Sequence, residues 1–286
     1  MTPPIDGATR IAGVVGAPVR HSLSPLIHNA WLGAAGENAI YLAFPAPERG
    51  LKALIDGLRG GVALGLNVTL PFKEEALALA DEATDRARKA GAANLLVFRS
   101  GGVVSADNTD GAGLVAAFAE QAPAYDMTAY PAVVLGAGGA ARGAVAALLE
   151  AGAPEVRIVN RTLGRAEAIR AALGSSVLAL DWSALPEALS GAGAVVNATT
   201  LGLNGVDPLE IGLRGLTTGG VVMDMVYRPL RTAFLARAAS DGFMTVDGLA
   251  MLIGQAEPSF AALFGRPAPK GVDVRGLALK ALGAQP

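Results

Sequence analysis

Short apolar runs alternate along the chain with longer segments in which Ala, Leu and Ile return at helical spacing, the arrangement expected of βα units around a mostly parallel sheet. In the first part the runs predict strands at 10–15, 39–44, 62–68, 92–98 and 103–106, and the helical spacing predicts helices at 25–35, 48–57 and 72–82. A second series starts at Pro131, with strand 132–135, helix 140–150, strand 156–159, helix 164–173 and strands at 176–180, 194–197 and 221–223. Between them, residues 120–130, flanked by Pro131 and containing Pro123, break the helical period and read as the entry to the second series. The predicted class is α/β in two domains, which suits 286 residues at about 150 per domain.

Composition narrows the function classes. The 23 Lys and Arg against 25 Asp and Glu leave a formal charge of −2, which gives no long-range attraction for nucleic acid or anionic lipid. With no cysteine and only His21 and His28 as imidazoles, disulfides, thiolate metal sites and a three-histidine zinc site are excluded. The longest uncharged stretch, 188–206, is interrupted by Ser, Asn, Thr and Gly, and the N-terminus has no basic region leading into an apolar run. A cytoplasmic protein without a membrane segment is expected. The 37 glycines follow no Gly-X-Y register but cluster at the ends of apolar runs, where loops turn sharply or approach a ligand.

The sharpest motif is AVVLGAGGAARG at 132–143, which places Gly136-x-Gly138-x-x-Ala141 directly after a strand and at the start of a helix. That is the context of a dinucleotide fingerprint: Gly136 for the tight turn, Gly138 for close approach of a pyrophosphate, Ala141 for helix-on-strand packing. The helix N-terminus then faces the phosphates. An NAD enzyme usually ends its second strand in an acid that accepts from the ribose 2′-hydroxyl. This chain has Asn160-Arg161-Thr162, followed by Arg165. A guanidinium cannot accept, but its fork suits a 2′-phosphate, so NADP(H) is the expected cofactor.

Polar residues gather at the strand ends of the first series. In GAPVRHSLSPLIHN at 16–29, Ser22 and Ser24 precede a helix that opens with Pro25, and two hydroxyls beside free helix N–H groups suit a carboxylate; the alternative is that Ser24 only caps the helix. His21 and His28 read as hydrogen-bonded structural histidines. In NVTLPFK at 67–73, Asn67 and Thr69 share a face, Pro71 stops the strand, and Lys73 emerges where open α/β sheets place ligands. Asn108-Thr109-Asp110-Gly111 carries a carboxylate able to pair with Lys73, and Asn94 and Gln255 complete the set. Together with a nucleotide fold, these support a site for a small polyhydroxy acid.

The ordered motifs GAPVRHSLSPLIHN, NVTLPFK, GAAN, DNTDGAG, GAGGAARGA, NRT, NAT, DMVYRPLRT and GLAMLIGQA resemble the shikimate dehydrogenase family over about residues 11–269. The resemblance implies a substrate domain built from both chain ends, 1–110 and 248–286, with a Rossmann-type NADP domain, 111–247, inserted between them. It implies reversible NADPH-dependent reduction of 3-dehydroshikimate to shikimate in chorismate and aromatic amino-acid biosynthesis. Ser22 and Ser24, helped by Tyr227, would hold the substrate carboxylate; Thr69, Asn94, Asp110 and Gln255 would bind ring hydroxyls, with Asn67 lining the site. Lys73, paired with Asp110, would be catalytic. The cofactor would lie on Gly136, Ala137, Gly138, Gly139 and Ala140, with Asn160, Arg161, Thr162 and Arg165 at its 2′-phosphate. Asn197, Thr199, Met225 and Gly248 would complete that site.

The family pattern is departed from at Leu95, Thr200, Ala250 and Glu257, the last placing an acid near Gln255. These bear on substrate range, and quinate or aminoshikimate remains an alternative substrate, as does a non-catalytic metabolite sensor on the same fold. The expected partner is the small-molecule substrate alone, with the protein a monomer or homodimer.

Overall fold

A computed structural model of the protein describes residues 5–283. The chain forms two compact units, one made of residues up to Thr109 and from Gln255 onward, the other of Asp110–Gly254.

The first unit contains β1 (Arg10–Gly16), α1 (Ser24–Ala35), β2 (Ala39–Pro45), α2 (Leu51–Leu58), β3 (Ala63–Val68), α3 (Lys73–Leu79), β4 (Glu82–Ala83), α4 (Asp85–Ala90), β5 (Leu95–Phe98) and β6 (Val104–Asp107). The strand order is β2-β1-β3-β5-β6-β4. Strands β1 and β3 lie inside the sheet and are covered on both faces, which is why they read as nearly continuous apolar runs. One face carries Val15, Leu66, Val68 and Leu96 against Leu51 and Ile55 of α2 and Ala76 of α3. The sheet is mixed: β5 runs antiparallel to both β3 and β6. Its direction follows from the short connection to β6, where the Arg99 N–H donates to Val103 O at 2.8 Å, because an antiparallel neighbour can be reached by a tight turn.

Two predicted elements are shorter than expected for identifiable reasons. Helix α3 stops at Leu79 instead of 82, because Asp81 turns to the sheet, its N–H donating to Val104 O at 2.9 Å and its carboxylate accepting the Val104 N–H at 2.8 Å. Residues 82–83 then pair with β6. Strand β5 begins at Leu95 instead of 92, because the Ala93 N–H donates to Lys73 O at 2.8 Å.

The second unit opens with α5 (Asp110–Gln121), then β7 (Ala132–Leu135), α6 (Gly139–Glu150), β8 (Val156–Asn160), α7 (Leu163–Leu173), β9 (Val177–Asp181), α8 (Leu185–Leu189), β10 (Ala194–Asn197), β11 (Val221–Asp224), α9 (Ala233–Ser240) and β12 (Met244–Val246). The long α10 (Gly248–Phe264) starts here and ends in the first unit, which α11 (Val274–Leu282) completes. All pairings in the second sheet are parallel, in the order β12-β11-β10-β7-β8-β9, the doubly wound arrangement whose strand order reverses between β7 and β10. One core packs Val134, Ile158 and Val196 against Ala141, Val145 and Leu148 of α6; the opposite face packs Val133, Val195 and Val222 against Leu189, Phe234 and Leu235. Gln121 and Asp247 clasp each other with two 2.9 Å hydrogen bonds, and Asp247 also accepts the Ala250 N–H at 2.9 Å, securing the start of α10. The chain thus enters the second unit at α5, one helix before the Pro-flanked segment 120–130 predicted as its entry.

Candidate functional site

In the first unit the carboxyl ends of β1, β3 and β6 and the amino end of β5 bring the predicted polar residues together. The Thr69 N–H donates to Val15 O at 2.9 Å, so the NVT segment and the loop after β1 leave the sheet side by side. Asn67 and Asn94 are both buried, and the Asn67 Nδ2 group donates to Asn94 O at 3.0 Å and to Ser259 Oγ at 2.9 Å. Its Oδ1 accepts from the Tyr41 hydroxyl at 2.8 Å. Both amide hydrogens of Asn67 are therefore committed to the protein.

Asn94 is the hub of the next layer. Its Oδ1 accepts the Thr109 N–H at 2.7 Å, and its Nδ2 donates to Thr109 Oγ1 at 3.0 Å and Gln255 Oε1 at 3.3 Å. Thr109 Oγ1 lies 3.1 Å from Ser259 Oγ, which donates to Gln255 O at 3.0 Å. Residues separated by more than a hundred positions thus meet in one buried polar network, which, when satisfied, holds side chains in fixed orientations. Asp107 anchors the turn that carries Asn108 and Thr109. Burial pushes its carboxyl up, but the Arg86 guanidinium and the Thr84 hydroxyl outweigh this and hold it below the usual carboxylate range. Lys73 stands half-buried at the start of α3, and Asp110, buried, opens α5.

Ser24 is buried and opens α1, but no side chain caps that helix; instead Ser22 Oγ accepts the Ser24 N–H at 3.2 Å. The capping alternative for Ser24 is therefore not what the structure adopts. His21 is exposed. His28 departs from its expected hydrogen-bonded role: it is fully buried, neither ring nitrogen has a partner, and the ring stacks on Tyr41 at 4.1 Å. Glu257 also differs from expectation. It is exposed on α10 two residues after buried Gln255, and residues so spaced do not share a helix face. Leu95 is buried in β5 opposite Asn67, Ala250 lies in the second unit's core, and Thr200 is exposed.

In the second unit Gly136 has φ +105, and its N–H donates to Val159 O at 2.9 Å, setting the turn after β7 beside the end of β8. A Cβ on Gly138 would meet nothing within 4 Å, so packing does not require glycine there; the open space is what a pyrophosphate approaching the backbone would use. Gly138 precedes α6, no side chain caps that helix, and Ala141 is buried in the core. Arg161 and Arg165 are exposed just past β8, while Asn160 Nδ2 donates to Thr162 O at 2.8 Å. The residues present fit a dinucleotide bearing a 2′-phosphate.

Sequence reasoning missed Thr109, Ser259 and Tyr41 as members of the first network, and Asp224 and Thr232 in the second unit. Ser259 had a signal in its spacing of four from Gln255 on one helix, and Asp224 in ending an apolar strand. Tyr227 is half-buried, and burial raises its hydroxyl above the usual phenol range. Among the described residues no group of His, Asp and Glu is placed to hold a metal, and no helix is long and apolar enough to cross a membrane.

Two family models match the chain: the shikimate dehydrogenase substrate binding domain over residues 14–96, and shikimate / quinate 5-dehydrogenase over residues 118–204. A shikimate dehydrogenase (NADP(+)) of Caulobacter vibrioides is 57% identical over 99% of this chain and 99% of its own. The crystal structure of shikimate 5-dehydrogenase from Thermus thermophilus in complex with NADP(H) and shikimate is 34% identical with a TM-score of 0.82, covering 96% of this chain and 98% of that one. Quinate dehydrogenase from Corynebacterium glutamicum in complex with NAD is 28% identical with a TM-score of 0.86, covering 95% of this chain and 99% of that one.

Proposed function

The chain belongs to the shikimate dehydrogenase family and is an NADP-dependent oxidoreductase interconverting 3-dehydroshikimate and shikimate, and we propose that Lys73 and Asp110 form its reacting centre. The observation that carries this reading is the buried network joining Asn67, Asn94, Thr109 and Gln255. It fixes polar groups at strand ends immediately beside Lys73, whose carbonyl accepts the Ala93 N–H. Such a site suits a ring carrying several hydroxyls, which needs several directed partners at once.

When bound, NADPH supplies the hydride for the ketone carbon. Lys73, as ammonium, stabilises the negative charge building on the ketone oxygen and hands over a proton directly or through water. In the oxidative direction Lys73 takes that proton back. Asp110, an acceptor when ionised, orients the ammonium and balances its charge. Ser22 and Ser24, with Tyr227, hold the carboxylate, and Thr69, Asn94, Asp110 and Gln255 bind the ring hydroxyls. The turn 136–140 would hold the cofactor's phosphates, Arg161 and Arg165 would receive the 2′-phosphate beside Asn160 and Thr162, and Thr199, Met225 and Gly248 would line the other half. Asn197 acts through the turn it shapes. The protein works in the cytoplasm as a monomer or homodimer.

The test follows NADPH absorbance with 3-dehydroshikimate, then NADP+ or NAD+ with shikimate and with quinate. Turnover with shikimate and NADP+ well above quinate is expected; a preference for quinate would move the chain to the related activity. Lys73→Ala is expected to lower kcat by about 10²–10⁴-fold with the fold kept. A wild-type kcat in that variant would remove Lys73 from the chemistry.

A further inference from the structure

Asp224 ends the apolar strand β11 and is 1% exposed, yet it has no part in the chemistry described above. Its Oδ1 accepts from Asn197 Nδ2 at 2.9 Å and from the Val226 N–H at 3.0 Å, while its Oδ2 accepts from the Thr232 hydroxyl at 2.7 Å. Three segments therefore converge on one buried carboxylate: the turn after β10, the turn after β11 and the start of α9. Thr232 in turn accepts the Leu235 N–H at 3.2 Å, so its hydroxyl joins Asp224 to the helix cap.

The direction of these hydrogen bonds matters. A carboxylate accepts only, so it obliges Asn197 to present its NH2 group to Asp224 and its Oδ1 to the other side. That oxygen then accepts both the Thr199 N–H at 3.0 Å and the Thr199 hydroxyl at 2.7 Å, and Thr199 Oγ1 accepts the Leu201 N–H at 3.1 Å. The second Nδ2 hydrogen reaches Leu201 O at 3.3 Å, which closes the turn. Reversing the Asn197 amide would set its NH2 against the Thr199 N–H and its Oδ1 against the Asp224 carboxylate.

Both turns abut the nucleotide-binding backbone. A Cβ on Gly136 would lie 3.0 Å from Thr199 Cγ2 and 3.2 Å from Ala198 O, so the 197–201 turn rests against the first glycine of the fingerprint. A Cβ on Gly248 would lie 2.4 Å from Met225 O, so the turn after β11 presses on the start of α10. In a doubly wound sheet the ligand crosses the carboxyl ends where the strand order reverses, here between β7 and β10. Arg161, past β8, marks the adenosine side, which leaves the turns after β10 and β11 as the wall of the other half.

We propose that Asp224 is a positioning residue for the nicotinamide half of the cofactor: by fixing the Asn197 amide and the Val226 N–H it holds both turns of that wall in one geometry. The inference rests on the assignment of this site to NADP(H). It separates the two halves of the ligand, because among the described residues no hydrogen bond of Asp224, Asn197, Thr199 or Thr232 goes to β8 or Arg161.

The experiment is calorimetric titration of wild type and Asp224→Asn with NADP+ and with adenosine 2′,5′-bisphosphate, which carries the adenosine half alone. The isosteric amide offers a donor where only acceptors fit. NADP+ is expected to bind about tenfold or more weakly, the scale of a lost hydrogen bond to a charged group, with the fragment changed by less than about twofold. Equal weakening of both ligands, or no change in either, would overturn the proposal. If Asp224→Asn does not fold, Thr232→Val and Thr232→Ser carry the test: the valine variant should lose NADP+ affinity selectively and the serine variant should restore it. A valine variant with wild-type NADP+ affinity, or a serine variant as weak as the valine one, overturns the proposal. Wild type that binds neither ligand would instead overturn the cofactor assignment on which it rests.

Discussion

At position 28 an imidazole lies inside an aromatic cluster, stacked on Tyr41, with the Trp31 and Phe260 rings at 5.6 and 6.0 Å. Burial alone lowers its pKa from 6.5 to about 3. The folded chain therefore keeps His28 neutral where the unfolded chain is protonated, so its contribution to stability is complete above pH 6.5 and lost progressively as the pH falls from 6.5 towards 3. The full loss corresponds to roughly 5 kcal/mol. His28→Phe should fold at neutral pH and shift the acid unfolding midpoint downward; an unchanged midpoint by circular dichroism would show that His28 does not govern the acid limb. Arg161 is the opposite case, an exposed guanidinium free of ion pairs among the described residues. Arg161→Ala should weaken NADP(H) by about ten- to a hundredfold and leave NAD(H) little changed. Equal losses for the two cofactors in paired titrations would refute contact with the 2′-phosphate. The place of Arg161, exposed just past the second strand of its unit, was legible because the apolar run of that strand stops at Asn160. The orphaned nitrogens of His28 were not, because stacking partners such as Tyr41 and Phe260 are far apart in sequence.

Elements buried on both faces were the easiest to read. β1, β3, β7, β8 and β10 are short apolar runs because each has neighbours on both sides and helices above and below. α4 and α9 escaped because they are marked mainly by caps: Thr84 accepts the Ala87 N–H and Thr232 the Leu235 N–H. The start of α1 carries the prediction at this scale. Pro25 sits in its first turn, no side chain caps it, and Ser22 Oγ holds the Ser24 N–H, leaving the helix start suited to an anion. Replacing Ser22 and Ser24 with alanine should chiefly raise the shikimate KM, since a carboxylate remote from the reacting carbon is held alike in ground and transition states. A fall in kcat at constant KM would place these serines in the chemistry instead, and unchanged kinetics would leave them as parts of the loop alone.

At the scale of the molecule, the two units divide chain and ligand differently. The second is one continuous stretch, Asp110–Gly254, whereas the first needs both ends of the chain, since Gln255 and Ser259 close the network begun by Asn67 and Asn94. Local patterning could show that strands and helices alternate. It could not show that α10, one unbroken helix with Pro258 inside it, would return Gln255 to Asn94 across 161 positions, because that pairing is set by topology and not by the apolar period. Each ligand should therefore stabilise its own unit. A ligand present at a hundred times its Kd adds about 2.7 kcal/mol to whatever opening it opposes. Hydrogen exchange measured with NADP+ alone should show added protection around 136–142, 160–165 and 197–201. With shikimate alone, the gain should fall around 67–73, 94 and 109 and the 255–259 turn of α10. Protection by shikimate confined to the second unit would contradict the substrate site built here, and protection by NADP+ confined to the first would contradict the cofactor site.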